Sequence, residues 1–419
     1  MTDPIPTTVL SGVLGAGKTT LLNHVLDADP EYDIAVVVND VGSVNVDAES
    51  VRTRVEDHGD VVELSDGCIC CGIESRFEQS LVDLALNETF EYLLIEPSGI
   101  SEPEPVVRTL TNGRAAGFYK LESVTTVVDA RQFHDAFVTG IPPSPAERDD
   151  DTRPLSDLIA DGIEFCDTIV LNKTDLVGPE ELEAVTETLR TLQPEAELRP
   201  TTFGQVDPSE VIATGRFDLA SVSGSSSWRR AIERHRRDAG SDHDQDVDSA
   251  YDHDHDGDSA HGHDEDSAHD HPTPAEIYGV DSFVYDRRRP VHPARIVEAF
   301  ESLPDGVLRV KGNLHVAGSP DHALTVSMAG SQTQLEVTGR WIASLPEEKR
   351  ELHRLSRDPD WDEEYGDRKT ELVVIGREID HGSIERRFDE CLLTESELAA
   401  DPDGFESSLP KTEGEEIRF

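Results

Sequence analysis

The sequence predicts a doubly wound α/β domain with a mostly parallel sheet, followed by a smaller α+β domain. Three observations support this prediction. Short Val- and Ile-rich runs alternate with helical patterns over residues 1–222, a strongly polar segment covers residues 223–275, and strand-like runs with a terminal helical pattern cover residues 276–397. Residues 398–419 have the composition of a loose acidic tail.

Seven β-branched runs are the expected strands of the first domain, and helical patterns follow many of them. Val- and Ile-rich strands that alternate with helices favour a parallel sheet covered on both faces. The runs are TTVLSG, IAVVVND, GDVVEL, EYLLIE, SVTTVVDA, DTIVLNK and AELRPTT. The helical patterns include KTTLLNHVLDA, SRFEQSLVDLAL and PEELEAVTETLRTL.

The polar segment and the second domain differ sharply in composition. SVSGSSSW, residues 221–228, leads into the segment, and residues 241–274 are made almost entirely of Asp, His, Ser, Ala and Gly, so we expect disorder there without a ligand. In the second domain we expect an antiparallel sheet and a closing helix, GSIERRFDECLL. The expected strands are VLRVKGNLHVAG, HALTVSMAG, TQLEVTGRW and TELVVIGRE.

The 419-residue chain has a formal net charge of −50. Such an excess of carboxylates argues against binding to nucleic acid or to an anionic membrane surface, since both require a basic face. A carboxylate-coated surface with few lysines is typical of a protein that works in high salt, so we expect a halophilic protein. No apolar run is long enough to span a bilayer and no basic segment opens the sequence, so we expect it to be cytoplasmic.

The segment SGVLGAGKTT matches a phosphate-binding loop and lies between an expected strand and an expected helix, as this motif requires. Its glycines allow backbone N–H groups to approach phosphates, Lys18 would neutralise the β and γ oxygens, and Thr19 would hold Mg²⁺. We therefore predict a catalytic role for Lys18 and Thr19; the alternative is a structural glycine-rich turn. The predicted phosphate-binding residues are Gly12, Gly15, Ala16, Gly17, Lys18, Thr19 and Thr20.

A second motif predicts which base is bound. DTIVLNKTDLV ends a strand with Asn172, Lys173, Thr174 and Asp175, which places a carboxylate at the ligand-binding edge of the sheet. Asp175 can accept hydrogen bonds from N1–H and N2–H₂ of guanine, whereas adenine offers no such pair of donors. We therefore predict GTP rather than ATP.

Hydrolysis also needs a carboxylate near Mg²⁺ and a segment that senses the γ-phosphate. Glu96 and Asp129 each end an expected strand, and Gly99 follows the first of them. We prefer Glu96 as the catalytic carboxylate; Asp129 either assists or caps the helix that follows it. The polar, Gly-containing residues 39–47 suit a mobile switch loop.

Three of the five cysteines, Cys68, Cys70 and Cys71, lie within four positions. This is a poor disulfide framework, but thiolates bind Zn²⁺ tightly. Three thiolates leave tetrahedral coordination incomplete, so the fourth ligand is water or another group, and such an open site suits a metal that is handed on. Packing in the core and redox sensing are the alternatives. Cys166 and Cys391 lie in apolar patterns and are expected core residues.

The polar segment also contains alternating histidines and aspartates. Neutral imidazoles bind Zn²⁺, Ni²⁺, Co²⁺ or Cu²⁺, and neighbouring carboxylates raise the local cation concentration. We therefore predict a weak, exchangeable metal reservoir; an acidic linker that merely contains histidines is the alternative. The histidines are His243, His253, His255, His261, His263, His269 and His271.

Together these motifs resemble the CobW family of P-loop GTPases, which includes zinc metallochaperones and assembly factors for cobalamin and nitrile hydratase. The resemblance implies GTP hydrolysis coupled to loading or release of a metal at the C-x-C-C site. One departure is Asn39–Ser43, which reads NDVGS where the family usually has NEFGE. The matching motifs are GVLGAGKTT, GCICC, EPSG, TVVDA, LNKTDL, RRRPVHPARI, VLRVKG, ELVVIG and ECLLT.

The sequence thus predicts a GTP-hydrolysing metallochaperone that carries zinc, or alternatively cobalt, to a client protein docked by the second domain. One rival function is a metal buffer in which GTP is only structural. Another is an assembly factor for a cobalt enzyme or for cobalamin synthesis. A signalling GTPase would leave the thiols and histidines without a role, and an ATP-dependent kinase would leave the NKTD motif without one.

Overall fold

A computed structural model of the chain describes most of both domains and contains two separate sheets. One sheet belongs to the first domain and the other to the second. The described residues are 3–28, 32–38, 61–63, 74–97, 103–140, 153–218, 280–347, 349–350, 361–400, 405 and 409–419.

The first domain is built on a seven-stranded sheet whose described pairings are all parallel. The predicted α/β class is therefore confirmed. Central strands are buried on both faces, which explains their continuous Val, Ile and Leu content. The strands are β1 Ile5–Ser11, β2 Ile34–Val38, β3 Val61–Glu63, β4 Tyr92–Glu96, β5 Tyr119–Asp129, β6 Thr168–Asn172 and β7 Glu197–Pro200, in the order β3-β2-β4-β1-β5-β6-β7.

Helices cover this sheet, and the chain reaches several of them from the carboxyl ends of the strands. The described helices are α1 Lys18–Asp27, α2 Glu74–Asn87, α3 Pro103–Asn112, α4 Ala130–Phe133, α5 Leu155–Glu164 and α6 Pro179–Leu192. The short α4 continues into a π-helical turn over His134–Val138. None of the helices described here reaches the length and apolar character that a bilayer crossing requires.

The second domain is a six-stranded antiparallel sheet, which confirms the α+β prediction. The helices Pro293–Glu301 and His381–Asp389 contact one another, with the rings of Phe300 and Phe388 5.7 Å apart at their centroids. The strands are β8 Val280–Arg287, β9 Val307–Leu314, β10 His322–Ala329, β11 Gln332–Arg340, β12 Thr370–Arg377 and β13 Glu416–Arg418, in the order β13-β11-β10-β9-β12-β8. The helices are α7 Pro293–Glu301, α8 His381–Asp389 and α9 Glu395–Ala400.

The end of the chain differs from the loose tail expected from its composition. Strand β13 pairs with β11, and Ile417 and Phe419 pack against the core of the second domain. Leu409 is buried in the same core. Three well-spaced apolar side chains are therefore enough to hold an otherwise acidic segment on the edge of the sheet.

The two domains meet at a group of charges around a buried arginine, the interdomain charge cluster, formed by Arg309, Asp157, Asp161, Glu164 and Lys311. The guanidinium of Arg309, on β9, is fully buried. It contacts three carboxylates of α5, at 2.6 Å from Asp157, 2.8 Å from Asp161 and 2.9 Å from Glu164. Lys311 adds a 3.0 Å contact with Asp161. A strand of the second domain is thus tied to a helix of the first.

Burial and opposite charges act against each other in this cluster. Burial alone would raise the pKa of Asp157, but the positive charges of Arg309 and Arg153 more than offset it, and the pKa lies below its ordinary value. Burial raises the pKa of Glu164 despite the Arg309 contact. For Arg309 burial disfavours the charge, but the carboxylates prevail and raise its pKa. The guanidinium is therefore permanently charged.

Candidate functional site

The phosphate-binding loop lies at the carboxyl edge of the parallel sheet, between β1 and α1. Gly12, Gly15 and Gly17 have φ values of 138°, 79° and 108°, which side-chain-bearing residues rarely adopt. A Cβ on Gly12 would lie 2.4 Å from the Val127 carbonyl oxygen, and one on Gly17 would lie 2.3 Å from Nδ2 of Asn172. The loop therefore requires glycine at both positions for close packing as well as for its backbone shape.

The three predicted catalytic residues lie together at this loop. The side chain of Lys18 is buried, and its Nζ donates to the Val13 carbonyl at 3.3 Å. The Thr19 hydroxyl donates to Oε1 of Glu96 at 3.4 Å. Glu96 is buried at the end of β4, which lies between β2 and β1 in the sheet. A cation, a hydroxyl and a carboxylate are thus available at one point on the edge.

Asn172 connects the phosphate-binding loop to the predicted base-reading motif. Its Nδ2 donates to the Ala16 carbonyl at 3.0 Å, and its Oδ1 accepts from the Gly204 backbone N–H at 3.0 Å. Asp175 is exposed on the turn that follows. The motif therefore fixes a solvent-facing carboxylate relative to the phosphate-binding loop, as base recognition requires.

The surroundings of Asp129 do not suit the role in Mg²⁺ binding that the sequence left open for it. Its Oδ1 accepts from the backbone N–H groups of Arg131 at 2.9 Å and Gln132 at 3.1 Å, which caps α4. Its Oδ2 lies 2.7 Å from Nζ of Lys173. Because both oxygens are engaged, the geometry favours Glu96 over Asp129 beside Thr19. Asp129 instead anchors Lys173 of the predicted base-reading motif.

A loop over residues 201–205 also belongs to this site and was not predicted. Thr174 donates to the Thr201 carbonyl from its backbone N–H at 3.2 Å and from its hydroxyl at 3.0 Å. A Cβ on Gly204 would lie 3.0 Å from the backbone of Leu21 in α1, so the loop packs closely on that helix. The available signal was a glycine shortly after the last strand of the sheet. We refer to residues 12–20, Glu96, Asp129, 172–176 and 201–205 together as the nucleotide edge.

Several predicted site residues lie outside the described ranges. They include the three clustered cysteines, the switch loop 39–47, Gly99 and the histidines of the polar segment. Within the described ranges, no group of three or more His, Cys, Asp or Glu side chains is arranged to hold a metal ion. Cys166 and Cys391 are buried, as expected, and burial raises the pKa of both thiols.

Comparison with known protein families identifies both domains. The family model for the CobW/HypB/UreG nucleotide-binding domain matches residues 6–200, which include the phosphate-binding loop and the NKTD motif. The model for the cobalamin synthesis protein cobW C-terminal domain matches residues 280–392. Both halves of the chain thus match models of one family, in the order the resemblance implied.

Two sequence relatives and one solved structure are similar to this chain. The zinc-regulated GTPase metalloprotein activator 1 of Dictyostelium discoideum is 32% identical over 94% of this chain and 81% of its own length. The zinc chaperone YjiA of Escherichia coli K12 is 31% identical over 52% of this chain and 64% of its own length. The crystal structure of Zn(II)-bound YjiA aligns with 93% of this chain at 20% identity and a TM-score of 0.39. From the two family models and the Dictyostelium relative, the chain belongs to the CobW family of P-loop GTPases.

Proposed function

We propose that this GTPase is a metallochaperone that binds zinc at Cys68, Cys70 and Cys71 and passes it to a client protein, with the GTP cycle controlling the transfer. The nucleotide-binding part of this proposal rests on the position of Asn172, whose hydrogen bonds join the phosphate-binding loop to the loops proposed to read the base. The names of the relatives, a zinc chaperone and a zinc-regulated activator, support zinc rather than cobalt as the cargo.

The nucleotide chemistry follows from the side chains on the nucleotide edge. Lys18 would neutralise phosphate oxygens, and Asp175 would accept hydrogen bonds from guanine. Thr19 and Glu96 present hard oxygen ligands 3.4 Å apart, a donor set that fits Mg²⁺, and they would hold it directly or through water. Bound there, the ion would supply charge neutralisation at the β- and γ-phosphates.

Chain topology supports coupling between nucleotide and thiols. The segment with the cysteines follows β3 in the sequence, and the carboxyl end of β3 lies at the same edge as the phosphate-binding loop. In the register of the sheet, Val38 is level with both Glu63, the last residue of β3, and Glu96. Glu63 and Glu96 are therefore two strands apart, about 10 Å at the usual spacing. A change at the γ-phosphate would need to travel only that far to reach the start of the thiol segment.

The remaining parts of the proposal concern storage and delivery. We infer that the histidines of the polar segment form a weak metal reservoir and that the second domain docks the client. The interdomain charge cluster supports the docking role, because it ties the second domain firmly to α5 of the GTPase domain. No feature of the described residues favours a cobalt cargo or a passive metal buffer, and a single titration distinguishes both from a zinc carrier.

The decisive experiment is a zinc titration of the reduced protein in high salt, with a non-hydrolysable GTP analogue or with GDP. We expect the zinc affinity to differ between the two nucleotides by about fivefold or more, since allosteric coupling is usually of this size. Cys70→Ser should abolish the tight site. Cys391→Ser is the matched control, because this thiol is buried in the second domain and should leave zinc binding unchanged.

Each alternative gives a distinct result in the same experiment. Equal zinc affinity with both nucleotides would indicate a metal buffer with a structural nucleotide. A nucleotide effect on Co²⁺ binding without one on Zn²⁺ would indicate a cobalt carrier. Tight binding retained in Cys70→Ser would show that the metal lies elsewhere.

A further inference from the structure

Phe203 is the least expected residue on the nucleotide edge. It is 70% exposed, although its ring is large and apolar. Its φ is 52°, in the left-handed region that bulky side chains avoid. Exposure and backbone strain both disfavour phenylalanine here, and its neighbour Gly204 shows that this loop accommodates glycine. A strained, exposed aromatic side chain is often explained by a ligand that completes its surroundings.

The loop that carries Phe203 is bonded directly to the base-reading motif. Gly204 donates to Asn172, and Thr174 donates twice to Thr201. Phe203 and Asp175 thus lie on two adjoining turns that share hydrogen bonds. Both are exposed, one with an apolar face and the other with a carboxylate.

Lys173 completes the arrangement from the other turn. Its φ is 57°, so it is also a left-handed residue without being glycine. Its ammonium is held 2.7 Å from Asp129, which fixes the direction of its side chain. The two adjoining turns, one of which carries the carboxylate predicted to read guanine, therefore each contain a strained residue. Strain of this kind persists where the surrounding structure preorganises a site.

We propose that Phe203 is the stacking platform for the guanine base of the bound nucleotide. Its ring would cover one face of the base while Asp175 reads the edge. The inference rests on the proposed binding of GTP and adds a binding residue to that site. Stacking uses the π-face that every purine has, so Phe203 would contribute affinity and Asp175 would contribute base choice.

The test is calorimetric titration of the full-length protein with GDP, together with thermal unfolding. Phe203→Gly should weaken GDP binding about tenfold, the usual size of a lost base–aromatic contact. The melting temperature should stay the same or rise, because glycine relieves the left-handed strain. IDP should lose the same factor as GDP, since the face and not the edge is involved. Phe203→Trp should keep the wild-type affinity and show fluorescence quenching on GDP binding.

Ala213→Gly is the matched control, because Ala213 is another exposed non-glycine residue with a φ of 54° but lies outside the nucleotide edge. It should not change GDP affinity. GDP binding by Phe203→Gly within twofold of the wild type would overturn the proposal and would favour a docking role for the exposed ring. A clear loss of melting temperature in that variant would also overturn it, by showing that the ring supports the fold. A wild-type protein without affinity for GDP would overturn the proposed function together with the platform.

Discussion

The interdomain charge cluster and the nucleotide edge both gather charged side chains, but the first encloses them and the second leaves several open to solvent. In the cluster, Arg309 is fully buried and directs its guanidinium nitrogens at three carboxylates of α5. At the nucleotide edge, Asp175 and Phe203 are exposed, and Phe203 and Lys173 have left-handed backbones. The same chain thus contains a completed polar network and an incomplete one.

This difference separates a structural role from a ligand-binding role. A buried ion pair is tolerated only when its hydrogen-bonding groups are satisfied, and the Arg309 contacts meet that condition without a ligand. Exposed apolar area and strained backbone are unfavourable in the free protein and become understandable when a nucleotide covers them. The comparison therefore supports a stabilising role for the cluster and the proposed binding role for the edge.

One helix connects the two regions. On one side of α5, Asp157, Asp161 and Glu164 hold Arg309. On another side, the Gly162 carbonyl accepts a hydrogen bond from the Thr126 hydroxyl of β5 at 2.8 Å. Strand β5 runs beside β1, from which the phosphate-binding loop begins. A displacement at the loop could thus reach the second domain through a single rigid element.

The largest expected effect is on the stability contributed by the cluster. Arg309→Met should lower the free energy of unfolding by about 3–5 kcal/mol, because three buried carboxylates lose their shared partner. GDP affinity measured well below the melting temperature should change little. Arg340→Met is the control, since Arg340 is half exposed and 3.5 Å from Asp321, and it should cost less than about 1 kcal/mol. Urea unfolding in high salt measures both. A loss below 1 kcal/mol for Arg309→Met would show that the cluster is not the closed, stabilising region.

A second prediction tests whether the second domain contains a further polar side chain that is buried and fully hydrogen-bonded without a ligand. His315 is buried, and its Nδ1–H donates to the Arg288 carbonyl at 2.8 Å. Burial lowers the pKa of His315 to about 4. Below pH 6.5 the unfolded chain takes up a proton that the folded protein excludes until about pH 4. The free energy of unfolding should therefore fall as the pH decreases from 6.5 to 4, by at most about 3 kcal/mol.

His315→Gln removes this titration and is the comparison to make. Glutamine retains a hydrogen-bond donor for the Arg288 carbonyl, so the variant should fold. Its unfolding free energy should depend less steeply on pH between 6.5 and 4 than that of the wild type. Identical slopes would show that His315 accepts its proton in the folded protein, and that this part of the second domain is open to water.

The sequence predicted the nucleotide edge better than the cluster, and the reason is physical. The phosphate-binding loop and NKTD are local motifs, and parallel strands bring their carboxyl ends to a common edge, so local patterns suffice. Arg309 lies in VLRVKG, an ordinary strand pattern, and its partners precede it by 145 to 152 residues. Phe203 was missed because its signal is a backbone angle. Strand β13 was missed because a few apolar residues on an acidic tail become meaningful only beside β11 and the core of the second domain.

The smallest expected effect concerns Asp129, whose carboxylate both caps α4 and anchors Lys173. One carboxylate oxygen accepts two backbone hydrogen bonds and the other contacts the lysine ammonium at 2.7 Å. Asparagine is nearly as good a helix cap as aspartate but has no charge for the lysine. Asp129→Asn therefore removes the anchor and retains the cap.

If the anchor preorganises the edge, Asp129→Asn should weaken GDP binding about three- to tenfold, the size of one lost charge-assisted contact at a partly exposed site, with little change in melting temperature. Asp207→Asn is the control, because Asp207 caps a short helix at residues 208–210 by accepting from the Ser209 N–H. It should leave GDP affinity unchanged. If Asp129→Asn also leaves GDP affinity unchanged, the left-handed backbone of Lys173 positions its side chain without the contact to Asp129. The edge would then be preorganised by backbone strain alone, and Phe203 and Lys173 would become its main determinants.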